Sequence, residues 1–252
     1  MMTTILVTGG TGTLGRQVVP LLRETGAKVR VLSRQARTGD EGVEYAVADL
    51  LTGEGVEAAV DGAEIVVHLA GGQKGDDVAT RTLAAAARKF GVRHLVYISV
   101  IGVGRVPLGW LRMKEAAEQA IEDSGVPWTT LRAAQFHDLV LKTLQGMTKS
   151  PVVPVPGGMR FQPVDTHDVA VRLVELALGE PAGLVPDLAG PQVYEMRDLI
   201  TGYLRATGKR RLLLPIRVPG AAGKAYRDGA NLTVTGADLG TRTWEQFAAT
   251  AA

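Results

Sequence analysis

A chain of 252 residues, 46% apolar, with 28 Lys and Arg against 26 Asp and Glu, has room for one large core or two unequal ones. Its net charge of +2 offers no excess to draw it to nucleic acid or to a membrane surface. It has no cysteine, which excludes disulfides, thiolate nucleophiles and thiolate metal sites and leaves any redox chemistry to a bound cofactor.

From Met1 to Thr8 there is no basic flank leading into a long apolar stretch, and no segment approaches about eighteen uninterrupted apolar residues. The expected setting is therefore cytoplasmic. The first predicted strand, Thr4 to Thr8, runs into Thr8-Gly9-Gly10-Thr11-Gly12-Thr13-Leu14-Gly15, and the apolar spacing Leu14, Val18, Val19, Leu21, Leu22 predicts a helix to Glu24. A strand, a glycine turn and a helix in this order bind a dinucleotide pyrophosphate. Gly9 permits the tight turn, Gly12 admits the phosphates close to the backbone, and Gly15 lets the helix pack. Thr11, Thr13 and Leu14 lie in the same turn, where free N–H groups and the positive end of the helix dipole meet the anion.

Further strands are predicted at Lys28 to Ser33, Val43 to Ala48, Ile65 to Ala70, His94 to Ser99 and Trp128 to Arg132. Helices are predicted at Asp76 to Phe90 and Leu111 to Ser124, with Gly91 and Gly125 as C-terminal stops. This alternation is that of a doubly wound parallel Rossmann sheet. At the end of its second strand, where the adenosine ribose is met, stand Ser33 and Arg34 rather than an acid. A hydroxyl and a guanidinium suit the extra phosphate of NADP better than the two hydroxyls of NAD, with Arg37 as a helper. Asp49 and Leu50 close the third strand beside the expected adenine, although Asp49 can equally cap the segment after it. Ala70, Gly71 and Gly72 close the fourth strand and let the backbone approach the cofactor, with Gln73 or Lys74 in reach of it.

From about Pro151 the texture changes, as Pro154, Pro156, Gly157, Gly158 and Pro163 interrupt the alternation. The expected organisation is a dinucleotide-binding domain over 1–150 and a small α/β lobe over 151–252, interleaved with the first. Its elements are helices at Thr166 to Leu178 and Glu195 to Thr207, the apolar run Leu212 to Ile216 and a last helix opening near Thr243.

These residues resemble the atypical and extended short-chain dehydrogenases/reductases, in particular the NmrA-like NAD(P)-binding branch. The glycine turn carries the resemblance together with Gly91-Val92-Arg93-His94-Leu95-Val96-Tyr97-Ile98-Ser99 and Ser124-Gly125-Val126-Pro127-Trp128-Thr129-Thr130-Leu131-Arg132. Val164-Asp165-Thr166-His167-Asp168-Val169-Ala170 and Ala189-Gly190-Pro191 extend it through the second half. It implies a Tyr-x-x-x-Lys pair in which the tyrosine protonates the substrate oxygen and the lysine holds the nicotinamide ribose. Here the segment reads Trp110-Leu111-Arg112-Met113-Lys114, so the lysine remains and the tyrosine is tryptophan. An indole does not titrate near neutral pH, and losing a general acid costs roughly a hundredfold to ten-thousandfold in rate.

Two functional readings stand. In one, the protein is an NADP-dependent oxidoreductase in which Lys114 places the nicotinamide and the hydride goes to a small conjugated acceptor, a quinone or flavin, that needs no protein acid. In the other, it is a non-catalytic NADP-binding sensor of the NmrA-like type. Ser99, at the carboxyl edge of the sheet, is a candidate for hydrogen-bonding a substrate oxygen or a plain turn former. Tyr97 shares its strand face and is either a substitute phenol or core. His137 is the best titrating proton donor after the sixth strand, or else structural. Asp165, His167 and Asp168 fall short of a metal site, and the expected job is structural, with Asp165 or Thr166 capping the helix that begins there. Nothing in the sequence speaks to oligomeric state.

Overall fold

In the computed structural model, which describes residues 3–38, 42–72 and 74–251, the β-branched runs and amphipathic segments alternate as strand and helix through the first half. In chain order the elements are β1 (Thr4–Thr8), α1 (Gly15–Glu24), β2 (Lys28–Ser33), β3 (Val43–Val47), α2 (Val56–Val60), β4 (Ile65–His68), α3 (Asp76–Lys89), β5 (His94–Val100), α4 (Gly109–Glu122), β6 (Trp128–Ala133) and α5 (His137–Met147). They continue as β7 (Val152–Pro156), β8 (Arg160–Phe161), α6 (Thr166–Leu178), β9 (Gly183–Leu184), β10 (Leu188–Ala189), β11 (Tyr194–Glu195), α7 (Met196–Ala206), β12 (Leu212–Ile216), α8 (Gly220–Arg227), β13 (Asp238–Leu239) and α9 (Trp244–Ala251). No described helix is long and apolar enough to cross a membrane.

By packing, the chain falls into two interleaved units. The first comprises Met1–Ser99, Arg112–Leu131 and Ala170–Val185. Its sheet runs in the order β6, β5, β4, β1, β2, β3, with β9 pairing on β6. The pairs β1 with β2 and β4, β2 with β3, β4 with β5, and β6 with β9 are parallel. Strand order turns back at β1, so that β2 and β3 lie on one side of it and β4 and β5 on the other. Ligands of such sheets bind outside the carboxyl ends of the strands at this reversal. Register brings Thr8 of β1 opposite Leu32 and His68, and His68 opposite Tyr97, so those carboxyl ends are level.

Parallel strands covered on both faces are apolar throughout, and Ile5, Leu6 and Val7 are all fully buried. Leu6, Val66, Leu95 and Tyr97 pack with Leu83, Ala87, Ala117 and Ile121 of α3 and α4. Gly10 lies where Val31 of β2 and Val19 of α1 converge, so α1 covers the opposite face of the sheet.

The second unit comprises Val100–Leu111, Arg132–Val169 and Pro186–Ala252. The texture change near Pro151 thus falls inside it rather than at its edge. Leu144, Val153, Leu199, Ile200, Tyr203 and Trp244 form its core, drawn from α5, β7, α7 and α9. Its β7 and β12 form a parallel two-stranded ribbon, β8 and β11 an antiparallel one, and β10 pairs with Ala133 on one side and β13 on the other.

Predicted and observed boundaries agree closely for β1, β2 and α6, while β4 ends two residues before the expected Ala70. Thr8 Oγ1 accepts the N–H of Ala70 and bonds His68 Nδ1, which takes that segment off the ladder. The sequence gives no bounds for the helices α2, α5 and α8.

Candidate functional site

The glycine turn divides its labour among positions. Gly9 has φ +67°, and a Cβ there would stand 2.7 Å from Ala70 N, so only glycine fits between β1 and the end of β4. Gly15 is closed from the other side, since a Cβ on it would stand 2.3 Å from Gly9 O. Gly12 and Thr13 are exposed, Thr11 is half-buried, and Leu14 is buried at the cap position of α1, where it has no polar atom to offer the helix end. A Cβ on Gly12 would meet only Gly9 O, at 3.2 Å. The open face of the turn is therefore backbone, which is what a pyrophosphate requires.

At the ends of β2 and β3 the side chains are partly spoken for. Ser33 Oγ donates to Gln35 O at 2.9 Å, and Arg34 and Arg37 are exposed. Asp49 Oδ1 accepts from Leu51 N at 2.7 Å, so it closes its own turn, while Gly55 stands at the cap of α2, which has no side-chain cap bond. Leu50 is buried in the core. Gln73 lies outside the described residues.

The end of β4 and the first turn of α3 build the most distinctive group. Lys114 of α4, 8% exposed, donates to Tyr97 Oη at 3.1 Å and pairs with Asp76 Oδ2 at 3.1 Å. Its ammonium also lies 5.0 Å from the centre of the Tyr97 ring. Asp76 Oδ1 accepts from Gly72 N at 2.6 Å, and a Cβ on Gly71 would stand 3.2 Å from Lys114 Nζ. Lys114 is thus a buried, paired cation at the carboxyl edge of the sheet. Burial pulls its pKa down, but Tyr97 and Asp76 more than offset this and the net shift is upward, so it stays charged. Tyr97 is fully buried, and its pKa is raised by burial against the pull of Lys114, so it stays a neutral phenol. A phenol so enclosed positions the lysine; it is not open to a substrate.

Ser99 and His137 sit otherwise than a substrate contact requires. Ser99 is buried and donates to Glu118 Oε1 of α4, and β5 continues past it to Val100. It serves to hold α4 on the sheet, which is neither of the roles read from its position. In the second unit, His137 is 0% exposed, tilted on Phe247 with ring centres 5.1 Å apart and edge-on to Trp244. Its Nδ1 is 3.8 Å from Asp165 Oδ2, and neither ring nitrogen has a hydrogen-bond partner among the described residues. Burial lowers its pKa, against the raising effect of Asp165, so the ring is neutral and enclosed as a core histidine is. Asp165 accepts from His167 N at 2.8 Å and pairs with Arg242, while Asp168 accepts from Thr241 N. Among the described residues no group of three or more His, Asp or Glu could hold a metal. Trp110 is half-buried against Val103, Val106 and Leu111.

His68 gives the first unit a pH dependence. It is fully buried, bonded to Thr8 Oγ1 at 2.7 Å and Thr80 Oγ1 at 3.0 Å, and burial with the nearby Lys114 charge lowers its pKa from 6.5 to about 3. The folded-state pKa is depressed, so the unfolded chain binds the proton first and stability falls as pH drops below 6.5. From His68 alone, stability should fall by about 2 kcal/mol between about pH 6.5 and about pH 5. His94 and His137, also lowered by burial, act in the same direction. Urea unfolding across this range checks it, and a flat profile contradicts it.

Asp76 and Glu118 were not singled out in the sequence. The signal available for Asp76 was an acid opening a helix four residues after the glycine pair Gly71-Gly72 at a strand end.

A family model described as NAD(P)H-binding matches residues 9–178. The (4-alkanoyl-5-oxo-2,5-dihydrofuran-3-yl)methyl phosphate reductase of Streptomyces griseus is 31% identical over 92% of this chain and 88% of its own length. The NAD(P)H azoreductase of Xenophilus azovorans is 30% identical over 81% and 74%. Among solved structures, the NADPH-dependent quinone oxidoreductase of Escherichia coli superposes with a TM-score of 0.84 at 18% identity, covering 98% of this chain and 99% of its own. The Citrobacter sp. triphenylmethane reductase does so with 0.80 at 21%, covering 98% and 99%.

Proposed function

This chain belongs to the NAD(P)H-binding family, and from that premise we propose that it is an NADPH-dependent reductase that passes a hydride to a small conjugated acceptor such as a quinone or a flavin. The observation that carries the reading is Lys114, a charged amine held by Asp76 and Tyr97 at the carboxyl edge of the sheet. When bound, NADPH would supply the hydride, becoming NADP⁺. The open backbone of Gly9 to Gly15 and the N-terminus of α1 take the pyrophosphate. Ser33 and Arg34 take the ribose phosphate, with Asp49 and Leu50 at the adenine and Ala70 to Gly72 along the chain of the cofactor. Lys114 donates to the nicotinamide ribose. Trp110 cannot give up a proton, and neither Ser99 nor His137 is open to do so, so the acceptor anion is one stabilised by delocalisation and protonated by water. Reduction of azo and lactone compounds, as the relatives are named for, involves acceptors of that electronic kind.

NADPH consumption against a panel of quinones, flavins and azo dyes tests this. Turnover with at least one is expected. Firm NADPH binding without turnover by any acceptor selects the second reading, a nucleotide sensor, which the tryptophan at position 110 favours. The cofactor preference has its own test: Arg34→Ala should weaken NADPH binding about tenfold, the loss of one charge-assisted contact, and leave NADH within about twofold. Calorimetry of both nucleotides reads it, and an equal loss for the two would remove Arg34 from the phosphate.

A further inference from the structure

The net charge of +2 conceals an uneven distribution. Residues 139–164 and 199–227 carry ten Lys and Arg and not one Asp or Glu. These two stretches contain β7 and β12, which pair in parallel through Leu212↔Val152, Leu214↔Pro154 and Ile216↔Pro156.

One face of that ribbon is core: Val153 and Val155 are buried and Leu213 packs beside them on α5, α7 and α9. The other face ought to be polar, as the solvent side of a small sheet usually is. Instead it presents Leu212 at 67% and Leu214 at 52% exposure, with Ile216 and Val152 also open. Exposed cations stand at its ends, Lys149 and Arg210 before the two strands and Arg217 after β12. Clustered apolar exposure rimmed by charge marks an interaction surface.

We propose that this ribbon is a docking surface for an anionic lipid bilayer. Two features select that occupant. Pro154, Pro156 and Pro215 lack the N–H groups an added strand would bond, so the ribbon is a poor template for β-augmentation by another chain. The open face itself is aliphatic, offering no directional partner, which suits hydrocarbon, while the flanking Lys and Arg match anionic headgroups and can keep their charges in the interface. Since no described helix is apolar and long enough to span, the contact is with the surface of the bilayer.

Co-sedimentation of the whole protein with phosphatidylcholine vesicles, with and without phosphatidylglycerol, tests it. Partition onto the phosphatidylglycerol vesicles is expected, with little onto phosphatidylcholine alone and a decline as salt is raised. Arg210→Gln with Arg217→Gln should reduce partition about twenty-fivefold, near fivefold for each cation. Leu212→Ser with Leu214→Ser should reduce it as well while leaving NADPH binding and urea unfolding unchanged. Absence of partition, or partition indifferent to both pairs of substitutions, overturns the proposal. So does light scattering that shows a dimer which the two serines dissociate, because the face then belongs to a second copy; retention by an acidic protein but not by vesicles overturns it too.

Discussion

Lys114→Met should cost about 3–5 kcal/mol of stability and most of the turnover. The lysine and its partner have side-chain exposures of 11% and 6%, and removing one member of a buried pair leaves the other charge uncompensated. Among the described residues Asp76 would retain only the Gly72 N–H. A loss of activity in that variant alone would be ambiguous, since a weakened fold also loses activity. Lys114→Met combined with Asp76→Asn separates the effects: it removes both charges, leaves an amide oxygen for Gly72, and should return most of the stability seen in urea. Turnover should not return with it, because the donor to the nicotinamide ribose is still missing. Tyr97→Phe completes the set. If the phenol only positions Lys114, its loss costs about 1 kcal/mol of stability and a modest fraction of the rate. A fall of a hundredfold or more in kcat, with KM unchanged, would instead make Tyr97 the proton donor and refute the positioning role.

The partners of Lys114 show where sequence reading stops. Lys114 itself was legible, because its spacing from Trp110 matched a known pair. Its hold on Asp76 and Tyr97 was not, since those residues lie on α3 and β5 and meet α4 only through the sheet register. Ser99 is the same case, its bond to Glu118 invisible to any local pattern. His137 reads from the sequence as a proton donor or a structural residue, and only the packing decides: it begins α5 and lies in an aromatic core that includes Trp244 and Phe247 from the far end of the chain. The strands fared better because a parallel sheet buries both faces, so short β-branched runs ending in glycine or polar residues are marked locally. Leu212 to Ile216 was legible as an apolar run and is β12, but its partner β7 went unread for a related reason: prolines at alternate positions argue against a strand, and only the pairing shows that they stand on a free edge.

Gly12→Ala and Gly15→Ala should part company, and their divergence is the strongest test of the cofactor turn. Neither glycine has a positive φ, so alanine is conformationally permitted at both and the outcome rests on space. At position 15 the new methyl would stand 2.3 Å from Gly9 O and 2.4 Å from Gly10 Cα, backbone that cannot step aside unless α1 moves off the turn. Overpacking of that kind costs about 1–3 kcal/mol, and with α1 displaced the N–H groups aimed at the phosphates lose their alignment. Stability and NADPH affinity should therefore fall together. At position 12 the methyl would meet only Gly9 O, at 3.2 Å, on an exposed face. The fold should hold within about 0.5 kcal/mol. NADPH affinity should nevertheless drop by about tenfold or more, because the methyl occupies the surface the pyrophosphate must approach. Urea unfolding and calorimetry on the two variants read both quantities. Were Gly12→Ala to bind NADPH as tightly as the parent, the turn would be a packing device for α1 alone, and the nucleotide would have to be held somewhere else.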